Sequence, residues 1–368
     1  MSKRIFILGA GVSSEAGLPL TRELFGSILE YLKKSKEPNE KEFYPILLKF
    51  LEDNKTNNFL FENIELLLTY IDFALLNNSN GIFNCSNDLG DIRRGLSDSL
   101  VKMLHCEYHF SQKVINQQVD TDDIFYKFCN ELSNGDIVIT FNYDVIIENR
   151  LWLQNKWTFL DGYGFNKNKE SFFKTWNKPD GEYPPEKTKK SIVKVYKLHG
   201  SLGWCYYGWD KSEIVFTGMK DYFPGYFGEY IERMGQKIYN FPVVEGSDSK
   251  LIEPSYIKQF NNLHIINLWK KAFIEFQNCE ELFIIGYSLP DADSAARIFL
   301  LTGIQNSQIS SIKVINKKNY RDKDSKDVAE ILKASEVFSK FKTISDKKVT
   351  CIKKTFKDWV EEEFVKHK

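Results

Sequence analysis

The sequence predicts an α/β fold in which a parallel sheet is flanked by helices and interrupted by an inserted helical module. Short apolar runs at 5–8, 136–140 and 282–286 have the character of buried strands. They alternate along the chain with segments whose apolar residues have helical spacing. That spacing continues from Phe43 to about His109, with polar loops expected at 35–42 and 77–91. Because strands that alternate with helices are joined by crossovers, this pattern favours a parallel sheet.

The chain opens with a predicted strand, a glycine-rich turn and a helix. The apolar run at 5–8 leads into Gly9-Ala10-Gly11-Val12-Ser13-Ser14, and helical spacing begins after Pro19. Glycines let backbone N–H groups approach a phosphate, and the N-terminus of the following helix adds a partial positive charge. The turn therefore predicts a nucleotide pocket in a Rossmann-like sheet, although two glycines alone could simply make a tight turn.

The same alternation predicts the domain boundaries. The sheet domain comprises residues 1–34 and 131–320, with an irregular excursion at about 155–190; the helical module occupies 35–130, and residues 321–368 form a C-terminal helical and strand extension packed on the core.

Polar clusters follow four of the predicted strands. They lie at 9–14, 140–144, 199–201 and 286–293. In parallel sheets ligands bind at the carboxyl ends of the strands, so we expect these clusters to build one site. Within the last cluster, Asp291 and Asp293 are expected to start a helix rather than bind a metal.

Composition excludes several classes of protein. Fifty basic and fifty acidic residues balance, so no global charge favours nucleic acid or an anionic membrane, and any nucleic-acid contact is expected to be indirect or through a partner. The six cysteines form no C-x-x-C pair, which predicts reduced thiols and no metal site. No apolar stretch reaches membrane-spanning length. We therefore expect a cytoplasmic protein.

Taken together, the polar clusters resemble motifs of the sirtuin family. In the family's order they are Gly9-Ala10-Gly11-Val12-Ser13 with Gly17-Leu18-Pro19, Thr140-Phe141-Asn142-Tyr143-Asp144, Leu198-His199-Gly200-Ser201, Gly286-Tyr287-Ser288-Leu289 and Ile315-Asn316. Each motif alone is weak, but five in the expected order make a specific signal across the sheet core.

The resemblance implies a pocket for NAD. The glycine turn would hold the pyrophosphate, Ser288 would lie near the adenosine side, and Asn316 near its ribose. The cofactor-binding residues implied in this way are Gly9, Ala10, Gly11, Ser13, Ser14, Arg22, Thr140, Gly286, Ser288 and Asn316.

The resemblance also implies which residues are catalytic. Asn142, Asp144 and His199 would face the nicotinamide ribose while its glycosidic bond breaks through an oxocarbenium-like state. An amide and a carboxylate can hold ribose hydroxyls and water as positive charge develops, and an imidazole can act as general base near neutral pH. From the sequence alone, Asn142 could instead cap the helix that begins near Val145.

The chain departs from deacylating sirtuins in three ways. Leu20-Thr21-Arg22 replaces their Asp-Phe-Arg, the four-cysteine zinc module is missing, and Asn142 lies farther from His199 along the chain than is usual. These departures resemble the prokaryotic sirtuin-like effectors of antiviral defence, which hydrolyse NAD with water in place of the acyl group.

That resemblance implies an NAD glycohydrolase with Asn142 and His199 as its catalytic pair, and NAD as substrate without a metal. It further implies a homo-oligomer and a defence partner in trans, such as a HerA-type ATPase. Two alternatives stay open at this point: a module that senses NAD or ADP-ribose without turnover, and a zinc-free NAD-dependent deacylase.

Overall fold

The structure is a computed structural model of the chain. It describes residues 3–55, 63–77, 88–111, 121–158, 161–165, 190–207, 213–216, 231–233, 236–238, 248–251, 263–290, 293–316, 339–341 and 348–365.

The centre of the molecule is a six-stranded parallel sheet. The described strands are β1 (Arg4–Leu8), β2 (Ile137–Thr140), β3 (Lys194–Lys197), β4 (Gly200–Tyr207), β5 (Glu213–Phe216), β6 (Ile231–Arg233), β7 (Gln236–Ile238), β8 (Asp248–Leu251), β9 (Glu281–Ile285), β10 (Ser311–Ile315) and β11 (Lys348–Ile352). The central sheet has the order β11-β10-β9-β1-β2-β3. Read as its own six strands, this is the doubly wound order 3-2-1-4-5-6, and the predicted α/β, Rossmann-like fold class is confirmed.

The helices of the described ranges cover the sheet and fill the insertion. They are α1 (Ala10–Ser13), α2 (Leu24–Lys34), α3 (Pro38–Asp53), α4 (Ile64–Leu76), α5 (Leu89–Ser111), α6 (Ile124–Glu131), α7 (Ile146–Leu153), α8 (Leu263–Glu275), α9 (Ser294–Gln305) and α10 (Phe356–Trp359). Helices α2 to α5 follow β1 and precede β2 in the chain, and they pack on one another. Of these, α3 to α5 lie in the segment 35–130 that is predicted to form the helical module. No helix of the described residues is long and apolar enough to cross a membrane.

The register of the sheet brings the strand ends to one edge. Leu8 lies opposite both Thr140 and Ile285, Thr140 lies opposite Lys197, and Ile285 lies opposite Ile315. The central strands β1, β2 and β9 are mostly apolar and buried on both faces, as expected for parallel strands between two helical layers. The residues that follow each strand therefore meet at one carboxyl edge, as the sequence predicts.

The chain leaves the central sheet after β3. Strand β4 begins at Gly200, directly after His199, and pairs antiparallel with β5 and β8, while β6 and β7 form a separate hairpin. Most of the predicted excursion at 155–190 lies outside the described residues, as do residues 321–338 of the predicted C-terminal extension.

The C-terminal extension contributes to the central sheet. Strand β11 pairs in parallel with β10 and forms the outer strand. Behind it, Trp359 stacks on Phe364 with 4.7 Å between ring centroids, and Phe364 contacts Phe6 of β1. The boundaries proposed for the three domains stay predictions.

Candidate active site

The candidate site lies at the carboxyl edge of the sheet, where the strand order reverses between β1 and β9. Doubly wound sheets bind their ligands in the crevice at this switch point. The loops that follow β1, β2, β3 and β9 supply its side chains.

Asn142 is held by the turn that follows β1. Its Nδ2 donates to the Gly9 carbonyl at 2.9 Å and to Ser13 Oγ at 2.8 Å, and its backbone N–H donates to Thr140 Oγ1 at 3.0 Å. An amide nitrogen has two hydrogens, so these two acceptors determine the orientation of the Asn142 amide. Asn142 is thus brought together with Gly9, Ser13 and Thr140, as the sirtuin resemblance implies.

The helix-capping alternative for Asn142 is wrong. Helix α7 begins at Ile146, and the backbone N–H of Ile146 donates to Asp144 Oδ1 at 3.0 Å. Asp144 therefore accepts from the start of the helix, whereas the Asn142 side chain donates to the glycine turn.

Asp144 supports Asn142 through Ser13. Ser13 Oγ donates to Asp144 Oδ2 at 2.5 Å, and both residues are buried. Each carboxylate oxygen of Asp144 therefore accepts a hydrogen bond from the protein itself. In this structure Asp144 orients Ser13 and, through it, the Asn142 amide.

His199 is buried directly after β3, within an aromatic enclosure. Its ring centroid lies 5.0 Å from that of Phe141 and 6.4 Å from those of Tyr143 and Trp269. Phe141 and Tyr143 flank Asn142 in the chain, so His199 packs against the loop that carries Asn142. Trp269 is itself held in place, because its Nε1 donates to the Leu198 carbonyl at 2.9 Å.

Asp293 faces His199, and the sequence alone does not indicate this contact. His199 Nε2 lies 3.4 Å from Asp293 Oδ2, and the Tyr287 hydroxyl donates to the same oxygen at 2.9 Å. The predicted helix start at Asp293 is confirmed, because Asp293 Oδ1 accepts from the Ala296 N–H at the N-terminus of α9. From the sequence, helix capping was a sufficient reason for an aspartate at position 293, so its contact with His199 was not predicted. The feature that could have indicated the contact is the position of Asp293 in a polar cluster at the carboxyl edge of the sheet. Asp291 lies outside the described residues.

Tyr287 remains a hydrogen-bond donor across the working pH range. Burial, followed by the nearby Asp293 charge, raises the pKa of the Tyr287 phenol well above its ordinary value. Its ring also stacks on Phe141 at 4.7 Å between centroids.

The glycines of the first turn allow two backbones to approach closely. The N–H groups of Gly9 and Gly11 donate to the carbonyls of Ile285 and Gly286 at 3.0 and 2.9 Å. A Cβ on Gly9 would lie 2.5 Å from Tyr287 Cα, and one on Gly11 would lie 2.9 Å from Gly286 Cα. These two N–H groups therefore tie the turn to the β9 loop in this structure, and their role toward a pyrophosphate stays a prediction.

The remaining predicted cofactor-binding residues are placed less uniformly. Thr140 is buried, and its hydroxyl donates to the Leu8 carbonyl at 3.1 Å; Ser14 Oγ donates to the Gly11 carbonyl at 2.9 Å. Ala10 begins the short helix α1, and Ser288 is exposed on the β9 loop.

Arg22 and Asn316 lie at the margins of the site. Arg22 is exposed on a 3-10 turn, with its guanidinium 3.6 Å from Glu23. Asn316 follows β10, and its N–H donates to the Ile352 carbonyl at 3.2 Å. Among the described residues, Arg22 makes no hydrogen bond or ion pair with the Asn142 cluster, so its role stays a prediction.

A buried ion pair lies behind the Asn142 loop. Lys197 Nζ lies 3.1 Å from Glu148 Oε1, each side chain is 1% exposed, and Lys197 also donates to the Asp144 carbonyl. Burial raises the pKa of the Glu148 carboxyl, and the Lys197 charge opposes that rise. The pair ties β3 and α7 to the backbone of the loop that carries Asn142.

Within the described ranges, no group of three His, Cys, Asp or Glu side chains could hold a metal ion.

Residues 136–299 match the family model described as a SIR2-like domain. The matched segment contains Asn142, Asp144, His199 and Asp293, and the glycine turn lies before it. This match supports the sirtuin resemblance, and SIR2-like domains are commonly NAD-using enzymes. No curated protein matches the chain.

Proposed function

We propose that this protein hydrolyses NAD to nicotinamide and ADP-ribose, as an NAD-depleting effector of bacterial antiviral defence acting in the cytoplasm. The proposal is supported by the hold of the glycine turn on Asn142, by the packing of His199 against Phe141, the neighbour of Asn142 in the chain, and by the position of both residues inside the segment that matches a SIR2-like domain.

In the proposed reaction the bond between the nicotinamide nitrogen and ribose C1′ breaks, and nicotinamide leaves with the bonding electrons. The oxygen of water bonds to C1′, and its proton passes to His199 and then to solvent. The Asn142 amide, oriented by Gly9 and Ser13, holds a ribose hydroxyl or the water while positive charge develops. Because these partners are already in place, little ordering is needed when NAD binds.

Water is favoured as the acceptor over an acylated lysine by what the sequence lacks. Leu20-Thr21-Arg22 stands where deacylating sirtuins carry Asp-Phe-Arg, and the chain has no C-x-x-C pair for their zinc module. These departures put an acyl-lysine channel in doubt, whereas the elements expected to bind NAD are present.

The test is nicotinamide release by the purified protein, alone and with the products of neighbouring genes. Asn142→Ala and His199→Ala should each lower turnover by about 100-fold or more, since each removes a group that acts on the reacting atoms. The matched control is Asn306→Ala, which changes an exposed asparagine at the far end of α9. Thermal denaturation checks that all three variants are folded.

The outcomes separate the candidate functions. Nicotinamide release that survives both Asn142→Ala and His199→Ala would refute the site assignment. Tight NAD binding by calorimetry without product would favour the sensing module, and turnover that depends on an acylated peptide would favour the deacylase.

Assembly is part of the same proposal. We expect a homo-oligomer and a partner in trans, such as a HerA-type ATPase, to control the activity. Size-exclusion chromatography with light scattering, with and without the co-expressed neighbouring protein, tests both; a monomer that is fully active alone would contradict them.

A further inference from the structure

Asp293 does more than a helix cap requires. Capping α9 uses only Oδ1, which accepts from the Ala296 N–H at 3.3 Å. The other oxygen, Oδ2, accepts from the Tyr287 hydroxyl and lies 3.4 Å from His199 Nε2. A serine or asparagine would cap the helix equally well, so the cap alone does not call for a carboxylate.

The loop that carries Asp293 is held in an uncommon conformation. Leu289 has a φ of 51°, in the left-handed region that residues other than glycine seldom occupy, and its side chain is buried. Gly286, at the start of the same loop, has a φ of 59° and packs against the Gly11 backbone. Such conformations persist where the surrounding packing determines them, and here they set the position of Tyr287 and Asp293.

We propose that Asp293, oriented by Tyr287, is the positioning residue for His199: its carboxylate keeps the imidazole proton on Nε2 and so leaves Nδ1 to accept the proton of the attacking water. A carboxylate beside one ring nitrogen determines which tautomer is present, and it stabilises the imidazolium once the second proton has arrived. The proton-accepting role of His199 rests on the proposed function; the pairing of Asp293 with His199 does not.

The charged and titratable groups around this pair come from several elements. Tyr287 and Asp293 lie on the β9 loop, and Tyr143 faces His199 from the β2 loop. Glu65 of α4 and Arg297 of α9 act on Tyr287. The Asp293 carboxylate lies within 4 Å of the His199 ring.

The test replaces the charge and keeps the cap. Asp293→Asn keeps one side-chain oxygen to accept from the Ala296 N–H, places an amide NH2 where Oδ2 accepts from the Tyr287 hydroxyl, and removes the negative charge. An opposite charge at this distance raises a histidine pKa by about 1–3 units, so the His199 pKa should fall by about one unit or more in the variant. NMR titration of labelled imidazoles measures this directly, with the His199 signal identified by its loss in His199→Gln.

Asp91→Asn is the control, because Asp91 is an exposed carboxylate in the first turn of α5, paired with Arg94. It should leave the His199 signal unchanged. A His199 pKa that moves by less than about 0.3 units in Asp293→Asn would overturn the proposal. If that variant does not fold, Asp293→Ser removes the same charge and keeps a cap.

Turnover supplies the second readout. The acidic limb of kcat/KM against pH reports the base of the free enzyme, so it should move to lower pH in Asp293→Asn, with kcat reduced about tenfold or more. If Asp293→Asn lowers kcat but leaves the acidic limb of the pH profile at the same pH, Asp293 has only a structural role. If the wild-type protein releases no nicotinamide, the proposed function fails, while the NMR titration still decides whether Asp293 controls His199.

Discussion

At the residue scale, the site consists of short relays in which one side chain orients another. Asp144 orients Ser13, Ser13 orients Asn142, and Asp293 faces His199. The Asp293 carboxylate faces its proposed catalytic residue directly, whereas Asp144 acts on Asn142 through Ser13. The carboxylates of Asp144 and Asp293 therefore orient neighbouring side chains, and a bound ligand does not have to desolvate their negative charges.

The adjacent serines of the first turn allow a matched test of the Asn142 relay. Ser13→Ala leaves the buried Asp144 Oδ2 without its donor and removes one acceptor of the Asn142 amide, so it should cost about 1–3 kcal/mol of unfolding free energy and lower turnover. Ser14→Ala removes a single local bond to the Gly11 carbonyl and should cost about 0.5–1 kcal/mol. Urea denaturation measures both, and equal losses from the two variants would contradict the relay.

At the element scale, the glycine turn and the β9 loop act as one unit. The backbones of Gly9 and Gly11 lie against Gly286 and Tyr287 with no room for a Cβ. The turn thereby fixes both the Asn142 amide, through the Gly9 carbonyl, and the loop that carries Asp293.

Gly9→Ala should separate this unit. Its Cβ would meet main-chain atoms of Tyr287 and Gly286, which cannot rotate away, so we expect a loss of about 1–3 kcal/mol in unfolding free energy. Gly26→Ala is the control: it lies in α2 with nothing within 4 Å of an added Cβ and should stabilise the protein by about 0.5–1 kcal/mol. Chemical denaturation measures both free energies of unfolding. If Gly9→Ala is more stable than Gly26→Ala, the close approach of Gly9 to Gly286 and Tyr287 is contradicted.

The buried ion pair makes a prediction that depends on pH. Lys197→Met leaves Glu148 buried without its partner, which should cost about 3–5 kcal/mol. Burial already raises the pKa of Glu148, and removing Lys197 raises it further. When a carboxyl has a higher pKa in the folded state than in the unfolded state, the free energy of unfolding falls as the pH rises towards the folded-state pKa. The Lys197→Met variant should therefore have a lower free energy of unfolding at pH 8 than at pH 5.

Lys194→Met on the same strand is the comparison. Lys194 pairs with Asp161 at 3.1 Å but is partly exposed, so its replacement should cost about 1 kcal/mol or less. Urea denaturation at both pH values compares the two variants. If the loss of unfolding free energy in Lys197→Met does not grow with pH, the predicted rise in the Glu148 pKa is contradicted.

At the scale of the whole molecule, the first and last strands of the described chain belong to one sheet. Strand β1 is central, and β11 is one of the two outer strands. An aromatic cluster formed by Phe6, Phe283, Trp359 and Phe364 joins β1 and β9 to the C-terminal helices.

Trp359→Ala should therefore destabilise the whole protein and not only its C-terminus. Trp359 is 2% exposed, and its loss leaves a cavity against Phe283 and Phe364, with an expected cost of about 3–5 kcal/mol. Phe73→Ala, at a residue of α4 that is 50% exposed, should cost about 1 kcal/mol or less. Thermal unfolding measures both, and a C-terminus that melts in a separate, earlier step would contradict the single cooperative core.

The sequence by itself determined the class of fold, the order of its elements and the edge at which the polar clusters meet. It could do so because apolar periodicity marks strands and helices locally, and because parallel strands all present their carboxyl ends on the same side. The positions of Asn142 and His199 followed from this, together with the sirtuin resemblance, and residues 136–299 match a SIR2-like domain.

Only the tertiary structure decided which atoms are partners. It engaged the Gly9 and Gly11 N–H groups with the β9 loop, assigned the local capping role to Asp144 rather than Asn142, and set Asp293 against His199. Each of these outcomes depends on the approach of segments that are distant in the chain. The spacing of residues along the chain does not predict such contacts, because they depend on the strand order of the sheet and on packing.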